Sequence, residues 1–143
     1  MARLGWFVRF MFWVGVVIDG VAAAALLAPA DSPIRGLAYP GVLGSNVDYA
    51  DGTRSAFPLM LGWTLLLAWG ARRPIERRML LPLTVPVVGG FMAVEFLDIH
   101  LGHAALAGTV PTFMLQSLLV AGLSVAYMAA GRLAAGEGQA AAG

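Results

Sequence analysis

Long apolar stretches separated by short polar segments dominate the chain. Four of them approach the roughly 20 residues that an α-helix needs to cross a bilayer. They run from about Trp6 to Leu27, Thr53 to Ala71, Met79 to Ile99 and Thr109 to Ala130. The pattern predicts an all-α integral membrane protein whose single domain, residues 1–132, is a bundle of four transmembrane helices.

The longest polar connection lies between the first two predicted spans, at residues 28–52. Its prolines and glycines predict turns with at most a short helix. The sequence leaves open whether this segment caps the end of the bundle or lies apart from it. The tail, residues 133–143, is rich in alanine and glycine, and we expect it to be disordered.

Composition supports the membrane interpretation and removes several kinds of chemistry. Of the 143 residues, 59% are hydrophobic and only 12% are charged. The net charge of +1 and the dispersed arginines provide no basic face for nucleic acid. The chain has no cysteine and no lysine. It therefore cannot hold an iron–sulfur cluster or c-type haem through its own thiolates, or a retinal or pyridoxal phosphate as a Schiff base.

The placement of the arginines predicts the orientation of the bundle. Seven of them lie at the start of the first span, fill the turn ARRPIERR between the second and third spans, or follow the fourth. Only Arg35 and Arg54 lie on the other side. Because cytoplasmic loops carry the excess of arginine, we expect both termini in the cytoplasm and residues 28–52 outside it. A composition rich in Ala, Gly and Arg suggests a prokaryotic source, and hence a multi-pass protein of the cytoplasmic (inner) membrane.

Asp19 and Glu95 are two carboxylates well inside the predicted spans, in the outer half of the bundle. Counted along the helices at about 1.5 Å per residue, Asp19 is roughly 12 Å and Glu95 roughly 6 Å below the outer boundary. A charge within hydrocarbon costs at least about 2.5 kcal/mol, so such residues usually face the bundle interior and mark a function or a partner. Two carboxylates so close cannot both carry charge without cost unless a proton or cation lies between them.

Further polar groups follow Glu95 in the segment VEFLDIHLGH. At about 100° per residue, Asp98 shares a helical face with Glu95, and His103 is offset from Glu95 by roughly 80°. Glu95, Asp98 and His103 are therefore candidate ligands for a divalent metal. Their spacing does not match the zinc-protease motif, which needs two histidines four residues apart. Asp98 and His103 could equally form the solvated outer end of a helix.

Gln116 is a polar residue inside the fourth span and completes the predicted site. It could line the same cavity as the carboxylates, or make only packing hydrogen bonds between helices. Asp19 has a similar alternative, in which it pairs with Arg54 and only fixes the packing. The predicted binding site thus consists of Asp19, Glu95, Asp98, His103 and Gln116.

Three functions are compatible with this pattern. The first, which we predict, is a small carrier or channel whose acidic site binds or translocates a proton or cation. The second is a membrane-embedded enzyme, or a redox or metal-binding subunit, acting on a lipid-soluble substrate such as a quinone, sterol or isoprenoid. The third is an accessory subunit of a larger membrane complex. Each places the protein in a lipid bilayer, and a homo-oligomer is compatible with all three.

Overall fold

The chain folds into long helices. The computed structural model describes residues 2–29, 32–39 and 47–142, with their side chains except at residues 2, 37, 47–55 and 137–142. Within these ranges the chain has no strand, so the all-α prediction is confirmed there. The helices are α1 (Ala2–Leu27), α2 (Pro33–Ala38), α3 (Val47–Arg72), α4 (Leu80–His100) and α5 (Leu106–Ala142).

Three of the helices are long and apolar enough to cross a membrane. They are the segments Arg3–Leu27, Leu80–His100 and Leu106–Gly136. These segments lie in α1, α4 and α5 and overlap the first, third and fourth predicted spans. The second predicted span lies in α3, which is not among the three within the described part of the chain.

Two boundaries differ from the prediction. The connection at residues 28–52 contains the short helix α2, as the sequence allowed. Ser32 is its N-cap, whose Oγ accepts a hydrogen bond from the Arg35 amide, and Pro33 is its first residue. α3 already begins at Val47, six residues before the predicted start of the second span. The tail that we expected to be disordered is helical as far as Ala142. Its abundant alanine, the residue with the highest helix propensity, gives the physical reason.

α1 is the central helix of the bundle. It packs along α3 on one side and along α5 on the other, and α4 packs against α5. α3 and α4 contact each other little, although a short turn joins them. Among the described residues, α1 and α4 have few close backbone contacts with each other. Both helices pack along α5 instead.

The packed core occupies the half of the bundle that carries most of the arginines. Its largest fully buried side chains are Phe12, Leu67, Leu81 and Leu123. Several alanines of α5 are also buried there, and such small residues let membrane helices approach closely.

Large apolar side chains cover the outside of the bundle. Trp13 is 50% exposed, Leu59 78% and Leu118 69%. Soluble monomers rarely expose contiguous apolar surface of this kind. The surface and the three long apolar helices together suggest a membrane-embedded protein.

Arg9 connects α1 to α3 at the arginine-rich end. Its Nε donates a hydrogen bond to the carbonyl oxygen of Ala71, over 3.0 Å. That carbonyl lies in the last turn of α3, where oxygens have no partner within the helix. We expect Arg9→Met to lower the free energy of unfolding by roughly 1 kcal/mol, because the oxygen loses its charged donor.

Thermal unfolding in a mild detergent measures this change. Arg3→Met is the matched control, since Arg3 makes no hydrogen bond within the part of the chain that the structure describes. Equal melting temperatures for Arg9→Met and the wild type would contradict the contribution of this bond.

Candidate functional site

A cavity of about 330 Å³ lies in the half of the bundle away from the packed core. All five helices or the residues next to them contribute to its wall, and ten of the fifteen lining residues are apolar. The polar lining residues are Asp19, Tyr39, Glu95, Thr112 and Gln116. The structure thus brings three residues of the predicted site, Asp19, Glu95 and Gln116, to one cavity.

The register of α1 places Asp19 in this wall. Asp19 follows the buried Phe12 by seven residues, or about two helical turns. Residues at this spacing share a helix face, so the face of α1 that enters the core carries Asp19 at the level of the cavity. Within the described part of the chain, the Asp19 carboxylate has no hydrogen bond or ion pair. The alternative partner, Arg54, has a side chain that lies outside the described residues.

Glu95 and Gln116 join α4 to α5 at the opposite side of the cavity. Gln116 Nε2 donates a hydrogen bond to Glu95 Oε1, over 2.9 Å. This bond satisfies only one of the three side-chain oxygens of Glu95 and Gln116. Glu95 Oε2 and Gln116 Oε1 are buried and have no hydrogen-bond partner among the described groups. A buried unpaired acceptor costs about 1 to 3 kcal/mol, and native proteins seldom keep one without a reason.

Tyr39 lies over one edge of the cavity, just after α2. Its hydroxyl donates a hydrogen bond to the carbonyl oxygen of Ala22 in α1, over 3.3 Å, and lies 3.7 Å from Met60 Sδ in α3. Sequence reasoning missed Tyr39 and Thr112 as lining residues. Tyr39 could have been noticed as a tyrosine in a segment rich in proline and glycine, whereas nothing in the pattern distinguished Thr112.

Asp98 and His103 do not line the cavity. They lie at the end of α4, where Gly102 adopts a φ of +77° and the chain turns so that the His103 amide donates to the Asp98 carbonyl oxygen. His103 Nδ1 is 3.8 Å from Asp98 Oδ1, and the His103 side chain is 65% exposed. This geometry is that of a solvated helix end.

The predicted metal ligands are not assembled into one group. Among the side chains that the structure describes, no three His, Asp or Glu residues are placed to hold a metal ion. Glu95 lies in the cavity wall, whereas Asp98 and His103 lie outside it. A metal at Glu95, Asp98 and His103 therefore stays a prediction of the sequence alone.

The polar part of the cavity wall is acidic and rich in hydrogen-bond acceptors. The two carboxylates Asp19 and Glu95 and the amide Gln116 belong to its wall with the hydroxyls of Tyr39 and Thr112, and no arginine is among its described lining residues. Electrostatic attraction is strong in such a medium of low dielectric constant. The arrangement can bind a positive charge, a proton, or a ligand that donates hydrogen bonds.

Comparisons with known proteins add no relative from which a function could be transferred. No protein-family model, curated protein or solved structure matches the chain.

Proposed function

We propose that the protein is a small membrane carrier or channel that binds a proton or cation at Asp19 and Glu95, with Gln116 assisting. The observation that carries this proposal is the Glu95–Gln116 pair, which leaves two buried oxygens unpaired in the wall of a cavity that a second carboxylate, Asp19, also lines. A proton on Glu95 supplies a hydrogen-bond donor, and a cation supplies the positive charge that this group lacks. Asp98 and His103 then lie at the outer end of α4, outside the cavity wall.

The proposal includes a topology in which α3 also crosses the membrane, with both termini and the turn ARRPIERR in the cytoplasm of a prokaryote. Two contacts support it. Arg3 and Arg132 line one pocket, and Arg9 donates a hydrogen bond to the last turn of α3. The start of α1, the end of α3 and the C-terminal part of α5 therefore lie together. The excess of arginine at this end favours the cytoplasmic side. The cavity is then in the outer half, where α2 and Tyr39 cap it.

Proton release on cation binding tests the proposed function. Purified protein in weak buffer near pH 7 is titrated with Na⁺, K⁺, Mg²⁺ and methylammonium, while a pH electrode records the protons released. We expect at least one of these cations to release up to about one proton per chain, because cation and proton compete for the same two carboxylates. The double variant Asp19→Asn/Glu95→Gln should release none.

Glu76→Gln is the matched control for the loss of a carboxylate. Glu76 pairs with Arg73 over 3.2 Å at the opposite end of the bundle, and its side chain is 65% exposed. This variant should behave as the wild type does. The proposal fails if no cation releases protons, or if the double variant releases as many protons as the wild type while it remains folded.

A second candidate function draws on the apolar part of the wall. Ten apolar lining residues around a cavity of about 330 Å³ also suit a lipid-soluble substrate. An enzyme or redox subunit would use Asp19 and Glu95 as an acid–base pair. Binding of a neutral quinone or isoprenoid alcohol, unaffected by Glu95→Gln, would favour this candidate over the cation site.

A further inference from the structure

We infer that the cavity takes an amphiphilic organic cation, with a primary or secondary ammonium group on an apolar body, and that it enters from the bilayer between α1 and α4. The inference rests on the proposed function, in which the cavity binds a cation, and adds the chemical class of that cation and its route.

The size and lining of the cavity favour an organic ligand over a bare inorganic ion. A dehydrated metal cation such as Mg²⁺ or Ca²⁺ is held by about six or more oxygens in a tight shell. The cavity of about 330 Å³ instead falls within the range of roughly 300 to 1,000 Å³ for small-molecule sites. Its carboxylate and amide oxygens are few beside ten apolar lining residues. The ligand that matches both parts has a charged head and an apolar body.

The unpaired oxygens specify the chemistry of the head group. Glu95 Oε2 and Gln116 Oε1 are both acceptors, so each needs a donor. A primary ammonium has three N–H donors and a secondary ammonium has two, whereas a quaternary ammonium has none. The terminal torsions of Glu and Gln side chains are broad, so small rotations bring both oxygens to an incoming N–H group. Charge-assisted bonds of this kind are about twice as strong as neutral ones.

The apolar wall continues to the surface of the bundle and marks the route. Val17 and Val21 on α1 and Phe91 on α4 line the cavity and are also exposed, at 61%, 37% and 38%. Because side chains of both α1 and α4 line the cavity and reach the surface, and the two helices have few close backbone contacts among the described residues, the gap through which the cavity opens lies between these side chains. In the proposed topology this gap faces lipid. An amphiphile in the outer leaflet holds its charged head at the membrane interface, and Glu95 lies only roughly 6 Å deeper in the predicted span.

Three probes with the same ten-carbon chain separate the features of this ligand. Decylammonium has charge and N–H donors, decyltrimethylammonium has charge alone, and decanol has neither a charge nor an N–H group. Each is titrated calorimetrically into the protein in lipid nanodiscs, and the heat from empty nanodiscs is subtracted to remove partitioning into lipid. We expect decylammonium to bind about tenfold or more tightly than either of the other two, because only it pairs both oxygens and the charge.

The outcomes distinguish this inference from the proposed function. Equal affinities for decylammonium and decyltrimethylammonium would overturn the requirement for N–H donors, and equal affinities for decylammonium and decanol would overturn the organic cation. If no probe binds while Na⁺, K⁺, Mg²⁺ or methylammonium still releases protons, the inference falls and the proposed function stands. If no probe binds and no cation releases protons, both fall.

The route has its own test in association kinetics. Val21→Trp places a large side chain at the gap, whereas Val125→Trp makes the same change at a residue that is 49% exposed and does not line the cavity. We expect decylammonium to associate severalfold more slowly with Val21→Trp than with Val125→Trp. Equal rates for the two variants would overturn entry between α1 and α4.

Discussion

Replacing Glu95 with Gln is expected to lower the affinity for decylammonium by about 10- to 100-fold while leaving the fold intact. Glutamine has the shape of glutamate, and its Oε1 can accept the hydrogen bond that Gln116 Nε2 now donates over 2.9 Å. Only the negative charge is lost. A charge pair about 4 Å apart contributes up to about 4 kcal/mol at an effective dielectric constant near 20. Removal of the cation from water offsets part of it, which leaves roughly 1.4 to 2.8 kcal/mol.

Calorimetric titration in nanodiscs measures the affinity, and two variants provide the controls. Asp98→Asn removes a carboxylate one helical turn beyond Glu95, outside the cavity wall, and should change the affinity less than about threefold because its charge is screened by water. Glu76→Gln should have no effect. If Asp98→Asn and Glu95→Gln weakened binding equally, the site would lie on the outer surface of the bundle instead of in the cavity.

The largest expected effect on stability comes from Gly70→Ala in α3. A Cβ atom at Gly70 would overlap the Phe12 ring of α1 and lie 2.9 Å from Leu80 Cδ1. Phe12 is fully buried in the packed core, so its ring cannot move without displacing its neighbours. Overpacking of this kind typically costs about 1 to 3 kcal/mol. We expect the melting temperature in mild detergent to fall by roughly 3 to 10 °C.

Gly62→Ala is the matched control for this prediction. Gly62 lies in the same helix, about two turns earlier, and a Cβ atom there would meet nothing within 4 Å. Because alanine has a higher helix propensity than glycine, this variant should melt at the wild-type temperature or slightly above it. Equal melting temperatures for the two variants would contradict the close approach of α1 and α3 at Gly70.

The carboxylates of the cavity were the most predictable part of the candidate site. Charge inside an apolar helix is visible in the sequence and costly in a bilayer, so Asp19 and Glu95 stood out without a structure. Helical periodicity also placed Asp98 on the face of Glu95. It could not show that the cavity ends before Asp98, because that boundary depends on where α4 and α1 diverge. For the same reason, the sequence could not show whether Gln116 lines the cavity or only makes packing hydrogen bonds between helices.

Contacts between distant parts of the chain were not predictable from periodicity. Tyr39 reaches the cavity only because the chain turns back over α1 after α2, and no local pattern encodes that path. The apolar helices α1 and α4 matched their predicted spans closely because hydrophobic length alone defines such a segment. The start of α3 and the end of α5 differed, since helices continue into polar sequence where nothing terminates them.

The separation of a packed half from a hollow half has a consequence for the evolution of this protein. Substitutions among Phe12, Leu67 and Leu123 change side chains that fill space completely, so nearly all of them reduce stability. Most residues around the cavity border empty volume on one side, so a larger side chain there meets fewer atoms than in the packed core. Selection can therefore alter which molecules the protein accepts through one half of the bundle, while the other half keeps the fold above the stability threshold that function requires.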